Sequence, residues 1–297
     1  MSEAAHTQAP ADSGQAEVKE ILRLSGYQRF IHVLVVIAFF VLAFTGIPLK
    51  FHDWAWAKMI MSVLGGYENA RYLHRAGAIL TFLYIILYFA DVAYRFVIKR
   101  EKGLFWGPDS IIPRVEDVIH VVQMVIWFLI GGRRPKIDRW AYWEKFDFFA
   151  EAWGNFALGV TGLILWFPAF FTRLLPGFAI GMSTIIHGIE ASLAVCFIFF
   201  IHFFNAHLRR NKFPMDMVIV TGRMSMHEFE EDRPAELERV KKDNALFWHQ
   251  VPPASPVLAK VGRMVGLILL VLGLGISVCI TYSAFAEWIP RVIRFFS

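Results

Sequence analysis

Two of the chain's ten histidines, His187 and His202, stand near either end of one apolar stretch, Met182 to Arg210. Fifteen residues separate them, which on a helix is roughly 22 Å of rise and about four turns. Both imidazoles therefore fall on nearly the same side, one toward each face of a bilayer that such a helix could cross. Histidine is costly inside a membrane and marks a functional site there by default. Its neutral ring is also a common metal ligand. Two on one stripe suit a pair of stacked metal cofactors, provided that other helices answer with imidazoles at the same two depths. His32 and His74 are the candidates for that answer.

The elements that must position these four residues are apolar helices. Of 297 residues, 57% are hydrophobic and 16% aromatic, and the mean hydropathy is +0.49. Those values fit a polytopic membrane protein rather than a soluble domain. The first span covers about Phe30 to Leu49 and places His32 at its very start; Pro48 is expected to stop it. The second covers about His74 to Ile98, with His74 at its start. Trp54, Trp56, Tyr67 and Tyr72 lie on its approaches, as an interfacial belt predicts. Val115 to Ile130 is short and carries Glu116, Asp117, His120 and Gln123, so it reads as a helix lying in the interface. The third span covers about Phe146 to Phe171, with Gly154, Gly159 and Gly162 to admit a close neighbour. The Met182 to Arg210 stretch is the fourth, and Val261 to Ala284 the fifth.

Charge sets the expected topology. The net charge of +5 comes from basic residues concentrated in the loops after the second and fourth spans, which argues for membrane orientation and against a nucleic-acid partner. By the positive-inside rule the N-terminus is cytoplasmic, and a sixth span would break the pattern. Residues 1 to 22 read as a disordered cytoplasmic tail with no cleavable signal, so the first span serves as its own insertion signal. Residues 23 to 225 form the histidine-bearing domain, 226 to 260 a polar cytoplasmic segment, and 261 to 297 the last span with a short outer tail.

Orientation then pairs the ligands. His32 meets His202 on the inner side, and His74 meets His187 on the outer side. Two bis-histidine sites in an apolar bundle are best filled by two b-type haems, each a large apolar disc with an axial imidazole on either face. Cys196 and Cys279 are too few for an iron–sulfur cluster, and no Cys-x-x-Cys-His is present for covalent haem attachment. Arg29 and Arg75 neighbour the ligands and could meet haem propionates. Glu190, one turn from His187, could orient that ring. His207 follows His202 by five residues, roughly 140° around an α-helix, and so should face elsewhere, as a quinone or proton group or a plain interfacial residue.

Several runs of residues carry a family resemblance. They are Tyr27-Gln28-Arg29-Phe30-Ile31-His32 with Thr45-Gly46 downstream, His74-Arg75-x-Gly77, Tyr142-Trp143-Glu144-Lys145-Phe146-Asp147, and the two-histidine fourth span. Together they resemble the cytochrome b (gamma) subunits of formate dehydrogenases and their relatives in thiosulfate reductases and nickel–iron hydrogenases. The resemblance covers roughly residues 23 to 225. It implies a diheme, quinone-reactive anchor in a bacterial inner membrane that serves a periplasmic redox subunit, either an iron–sulfur protein or a multihaem cytochrome c. In such subunits quinone lies beside the inner haem near the start of the third span. Formate dehydrogenases carry an Asn and a Gly there, whereas this chain reads Arg139 to Lys145, leaving Tyr142, Glu144, Lys145 and His207 as candidates.

The expected fold is thus an all-α membrane protein of five transmembrane helices: a four-helix haem-binding bundle, one extra C-terminal span and an interfacial helix. The expected function is electron transfer between the outer partner and membrane quinone. A hydrogenase-type subunit or an anchor for a multihaem cytochrome c is the nearest alternative. A cofactor-free scaffold would have no use for depth-matched histidines, and a transporter should show internal repeats, of which none is convincing.

Overall fold

The computed structural model describes residues 20–210, 212–244 and 246–296. In chain order they form β1 (Glu20–Leu22), α1 (Gly26–Lys50), α2 (Ala55–Val63), α3 (Tyr67–Ala93), α4 (Val115–Ile130), α5 (Tyr142–Trp166), α6 (Pro168–Phe171), α7 (Phe178–Phe197) and α8 (Val218–Thr221). They continue with β2 (Arg223–Ser225), α9 (Met226–Asp232), α10 (Pro234–Lys242), α11 (Leu246–His249), β3 (Gln250–Val251) and α12 (Pro256–Phe296). Helix α3 runs on as a wider π-type turn over Tyr94–Ile98, and α7 does so over Ile198–His202 and Phe204–Leu208. Among the described residues five helices are long and apolar enough to cross a membrane: Gly26–Lys50, Tyr67–Ile98, Tyr142–Trp166, Phe178–Leu208 and Pro256–Pro290. Ile79, Ile86, Phe89, Ile189 and Leu193 are exposed on them, as lipid-facing side chains are. The chain is an all-α membrane protein.

Local chemistry explains where the spans begin and end. Ser25 caps α1: its hydroxyl accepts from Gln28 N–H while the Gln28 side chain accepts from Ser25 N–H, a reciprocal box that satisfies two open donors. The helix runs two residues past Pro48, where a stop was expected. Proline removes one N–H, but the next turn still closes, with Phe51 N–H donating to the Ile47 carbonyl at 3.1 Å. Helix α3 begins at Tyr67, so His74 lies two turns inside it rather than at its start. Helix α5 ends at Trp166, and Pro168 opens the separate turn α6, short of the continuous span expected to Phe171.

Two helix pairs carry the tightest packing, α1 against α3 and α5 against α7. Helix α12 closes on α7 and α8. Its Gly273 lies so close to Phe199 that a Cβ there would overlap the ring. Phe199 is fully buried and makes edge contacts with Phe39, Phe40 and Phe203 at 5.7, 5.5 and 4.8 Å between centroids. The core that joins α1, α7 and α12 forms around it.

One end of the bundle wears a polar cap. The strands form an antiparallel sheet in the order β2-β1-β3, with Ile21 opposite Met224 and Gln250. The tail expected through residue 22 lies outside the described residues up to residue 19, but Glu20–Leu22 is the central strand of this sheet. Its hydrogen bonds come from segments about two hundred residues away, which no local pattern in the sequence announces. Ile21, Met224, Phe229 and Leu237 form a small core beneath the sheet. The polar 226–260 segment therefore folds over the helix ends instead of trailing from them.

Buried ion pairs fasten the cap. Arg23 meets Glu236 at 2.6 Å with both side chains 3% exposed, and Arg139 reaches the other Glu236 oxygen at 3.1 Å. Burial pulls the Arg23 guanidinium down to about 10, and the neighbouring Arg233 and Arg139 push the same way. At Lys212 burial also lowers the ammonium, but Asp216, Glu228 and Asp232 outweigh it and raise the group. Lys145 on α5 holds Asp117 on α4 at 2.8 Å, which tethers an otherwise exposed apolar helix. Removing one member of a buried pair leaves the other uncompensated, at a cost of about 3–5 kcal/mol. Glu236→Gln should therefore lower the stability of the purified protein by an amount of that order in chemical denaturation, whereas Glu238→Gln, whose partner Lys136 is exposed, should change it little.

Candidate cofactor-binding site

His74 on α3 and His187 on α7 come together in the half of the bundle away from the cap. Their ring centroids are 6.2 Å apart and their planes cross at 68°. Two metal–nitrogen bonds of about 2.0 Å, plus roughly 1 Å from each nitrogen to its ring centre, separate two imidazoles on opposite sides of one metal by about 6 Å. The observed spacing matches that value.

The ring nitrogens are oriented as such a pair requires. His74 Nδ1 lies 2.9 Å from Thr45 Oγ1, and His187 Nδ1 lies 2.9 Å from Thr161 Oγ1. Each threonine hydroxyl also lies 2.6 Å from the carbonyl four residues back, Val41 for Thr45 and Ala157 for Thr161. A carbonyl can only accept, so the single hydroxyl proton points to it. The hydroxyl oxygen must then accept from the imidazole, which places the ring proton on Nδ1 and the free lone pair on Nε2. Glycine follows each threonine because the ring lies against the backbone there. A Cβ on Gly46 would meet His74 Cε1 at 2.8 Å, and one on Gly162 would meet His187 Cε1 at 3.2 Å.

This arrangement exposes a repeat that the sequence reading passed over. Val41-Leu42-Ala43-Phe44-Thr45-Gly46-Ile47 on α1 and Ala157-Leu158-Gly159-Val160-Thr161-Gly162-Leu163 on α5 share their Leu and Thr-Gly positions. Each segment clamps a histidine on the next long helix. Aligning the chain on its Thr-Gly pairs would have revealed the repeat; it was missed because it is only a few residues long.

Toward the cap, His202 Nδ1 is bonded to Asp147 Oδ2 on α5 at 3.0 Å. His207 joins it, contrary to the expectation that it faces elsewhere. The two rings are 6.0 Å apart. The reason is the π-type winding of α7, which bonds i to i+5 and brings the fifth residue back beneath the first. Such turns concentrate at functional sites. His207 is 8% exposed, and its Nδ1 is buried with no hydrogen-bond partner among the described residues. His32 on α1 lies within electrostatic reach of both His202 and His207. Between the two histidine clusters, α5 presents Glu151 and Asn155 one turn apart. Tyr84 Oη donates to Asn155 Oδ1 at 3.0 Å, and Asn155 Nδ2 reaches Glu151 at 3.5 Å.

The remaining predicted residues have other partners. Glu190 lies against Gly154, with Oε1 3.9 Å from where a Cβ would be, and the Nδ1 partner of His187 is Thr161. Arg29 Nη1 donates to the Val220 carbonyl at 2.7 Å, while its Nε is buried without a partner among the described residues. Arg75 stacks over Trp166 at 5.3 Å. Glu144 caps α5 through Ala141 N–H and pairs with Arg233 at 2.7 Å, and Lys145 is engaged by Asp117. Tyr142 packs edge-on against Trp143 at 4.9 Å. Lys50, which the sequence did not single out, donates to the Gly188 carbonyl at 2.7 Å and to Ser192 Oγ at 3.1 Å, pinning α1 beside His187.

Among the described residues no three His, Cys, Asp or Glu side chains gather as a bare ion would need. Two imidazoles at the His74–His187 spacing fit a group that brings its other ligands with it, as a porphyrin does.

No family model matches the chain. A formate dehydrogenase cytochrome b556 subunit of Haemophilus influenzae is 30% identical over 148 residues, which is 49% of this chain and 54% of that protein. That relative is a cytochrome b. The chain spans about half of its length.

The clamp geometry is testable without any cofactor. Gly46→Val should cost about 1–3 kcal/mol by overpacking against His74. Gly181→Val, at a position where nothing lies within 4 Å, should cost clearly less in the same denaturation assay.

Proposed function

We propose that the chain is a membrane-anchored cytochrome b that holds two b-type haems and passes electrons between a redox partner on one side of the membrane and the quinone pool. The observation that carries this reading is the His74–His187 pair: ring centres 6.2 Å apart, with both Nδ1 atoms bonded to threonine and neither Nε2 hydrogen-bonded among the described residues. His32 and His202 are assigned to the second haem, and the similarity to a cytochrome b556 subunit points the same way. The repeat is short and ends at a ligand pair, which fits a cofactor clamp better than the midplane substrate site of a transporter.

A haem held by His74 with His187, or by His32 with His202, would supply one-electron chemistry. The chain's residues do the rest. Thr45 and Thr161 set the imidazole orientation, Gly46 and Gly162 let the rings approach, and the apolar bundle excludes water. Arg29 and Arg75 stand at opposite ends of the ligand helices, where they can meet propionates by charge-assisted bonds.

Quinone is assigned to the capped end. Of the four candidates, His207 has a buried nitrogen with no partner among the described residues, and Tyr142 is the phenol that α5 carries at its capped-end start. Glu144 and Lys145 already serve Arg233 and Asp117, so they shape the site rather than bind there. We assign this end to the cytoplasm of a bacterial cell, which the basic loops favour, and the far end to a periplasmic partner, an iron–sulfur subunit or a multihaem cytochrome c.

Purified protein should show a reduced-minus-oxidised b-type spectrum and two haems per chain. His74→Ala and His187→Ala should each remove the same haem, and His202→Ala the other. A chain that binds no haem, or His74 and His187 variants that lose different haems, would reject the assignment.

A further inference from the structure

The two histidine sites differ in what holds the ring nitrogens. At the far end both acceptors are neutral hydroxyls, Thr45 and Thr161, at 2.9 Å. At the capped end His202 Nδ1 meets the Asp147 carboxyl at 3.0 Å. The other Asp147 oxygen is buried with no partner among the described residues. The nearest basic side chain in sequence is occupied elsewhere: Lys145 holds Asp117. The carboxyl therefore acts on His202. The repeat shows how this asymmetry arises. His32 stands thirteen residues before Thr45 on α1, and Asp147 stands fourteen before Thr161 on α5. At the level where the first helix of one pair carries a ligand, its counterpart carries an acceptor for a ligand.

A hydrogen bond to a carboxylate makes an imidazole more basic than one to a hydroxyl, and such outer partners tune the metal. A more electron-donating ligand favours the oxidised iron and lowers its reduction potential; hydrogen bonding around the ligand is one of the protein's principal means of setting a haem potential. We propose that Asp147 is a positioning residue that holds His202 as the most electron-donating ligand of the bundle and so gives the capped-end site a lower reduction potential than the far-end site. Quinol oxidised to quinone at the capped end would give up two protons there and two electrons one at a time. Each electron would run downhill from the capped-end site to the far-end site and on to the outer redox partner, which is reduced. This inference rests on the haem assignment above.

The test is an optical redox titration of the full chain in detergent, with the low-spin EPR signals of the two sites recorded in parallel. His74→Ala, which retains only the capped-end haem, and His32→Ala, which retains only the far-end haem, assign the two potentials; the capped-end value should be the lower. Asp147→Asn should raise that value and shift its EPR signal while leaving the far-end site unchanged, and Asp147→Glu should restore much of the difference. Thr45→Val with Thr161→Val should move only the far-end potential. A capped-end potential equal to or above the far-end one, or an Asp147→Asn variant with both potentials unchanged, overturns the proposal. Should Asp147→Asn lose its haem, the order of potentials in the two single-site variants still decides. A chain with no haem rejects the assignment beneath it instead.

Discussion

A threonine hydroxyl inside a membrane helix has one proton to place, and the carbonyl one turn back claims it. Everything about the far-end site follows from that constraint. With its proton spent, the oxygen can only accept, so the histidine beside it must present Nδ1–H and leave Nε2 bare. The ring can reach the hydroxyl only if the next residue has no side chain, which accounts for glycine after threonine on both α1 and α5. The closeness that glycine permits is also why α1 packs tightly on α3 and α5 on α7. One hydrogen bond thus links tautomer, residue choice and helix pairing.

The two ends of the bundle solve different problems. The far-end histidines rely on neutral partners. The capped end gathers charge: Arg23, Arg139 and Arg233 converge on Glu236 and Glu144, and a lysine is ringed by three acids. Such buried pairs add little net stability compared with apolar packing, because desolvation offsets most of their attraction. Their value lies in specifying one arrangement of the helix ends. That rigidity suits a region where three histidines and an aspartate must keep fixed spacings.

Much of this was legible in the sequence. Apolar runs of membrane length located all five spans, and the alternation of helix direction assigned the four histidines to two levels. Winding was not legible. The placement of His207 assumed α-helical periodicity, and the π-type turns of α7 changed its face. Long-range partners were also hidden: Glu144 and Lys145 look like free polar residues until Arg233 and Asp117 are seen beside them. The residue that orients His187 came from a different helix than expected, since Glu190 is one turn away along α7 but Thr161 faces the ring across the α5–α7 contact. The Thr-Gly repeat was visible in principle, but two matched dipeptides gain meaning only when each is found pressed on an imidazole.

The strand β1 has a consequence for how the molecule is made. Chains emerge from the ribosome N-terminus first, so Glu20–Leu22 is synthesised before any of the spans. Both its partners, β2 and β3, follow the fourth span. The strand must therefore wait, unpaired, while four helices insert. Closure of the sheet marks the moment when those helices are all in place, and only then can Arg23 find Glu236. Assembly of the capped end is in this sense a late checkpoint on insertion, read by a strand that precedes every span.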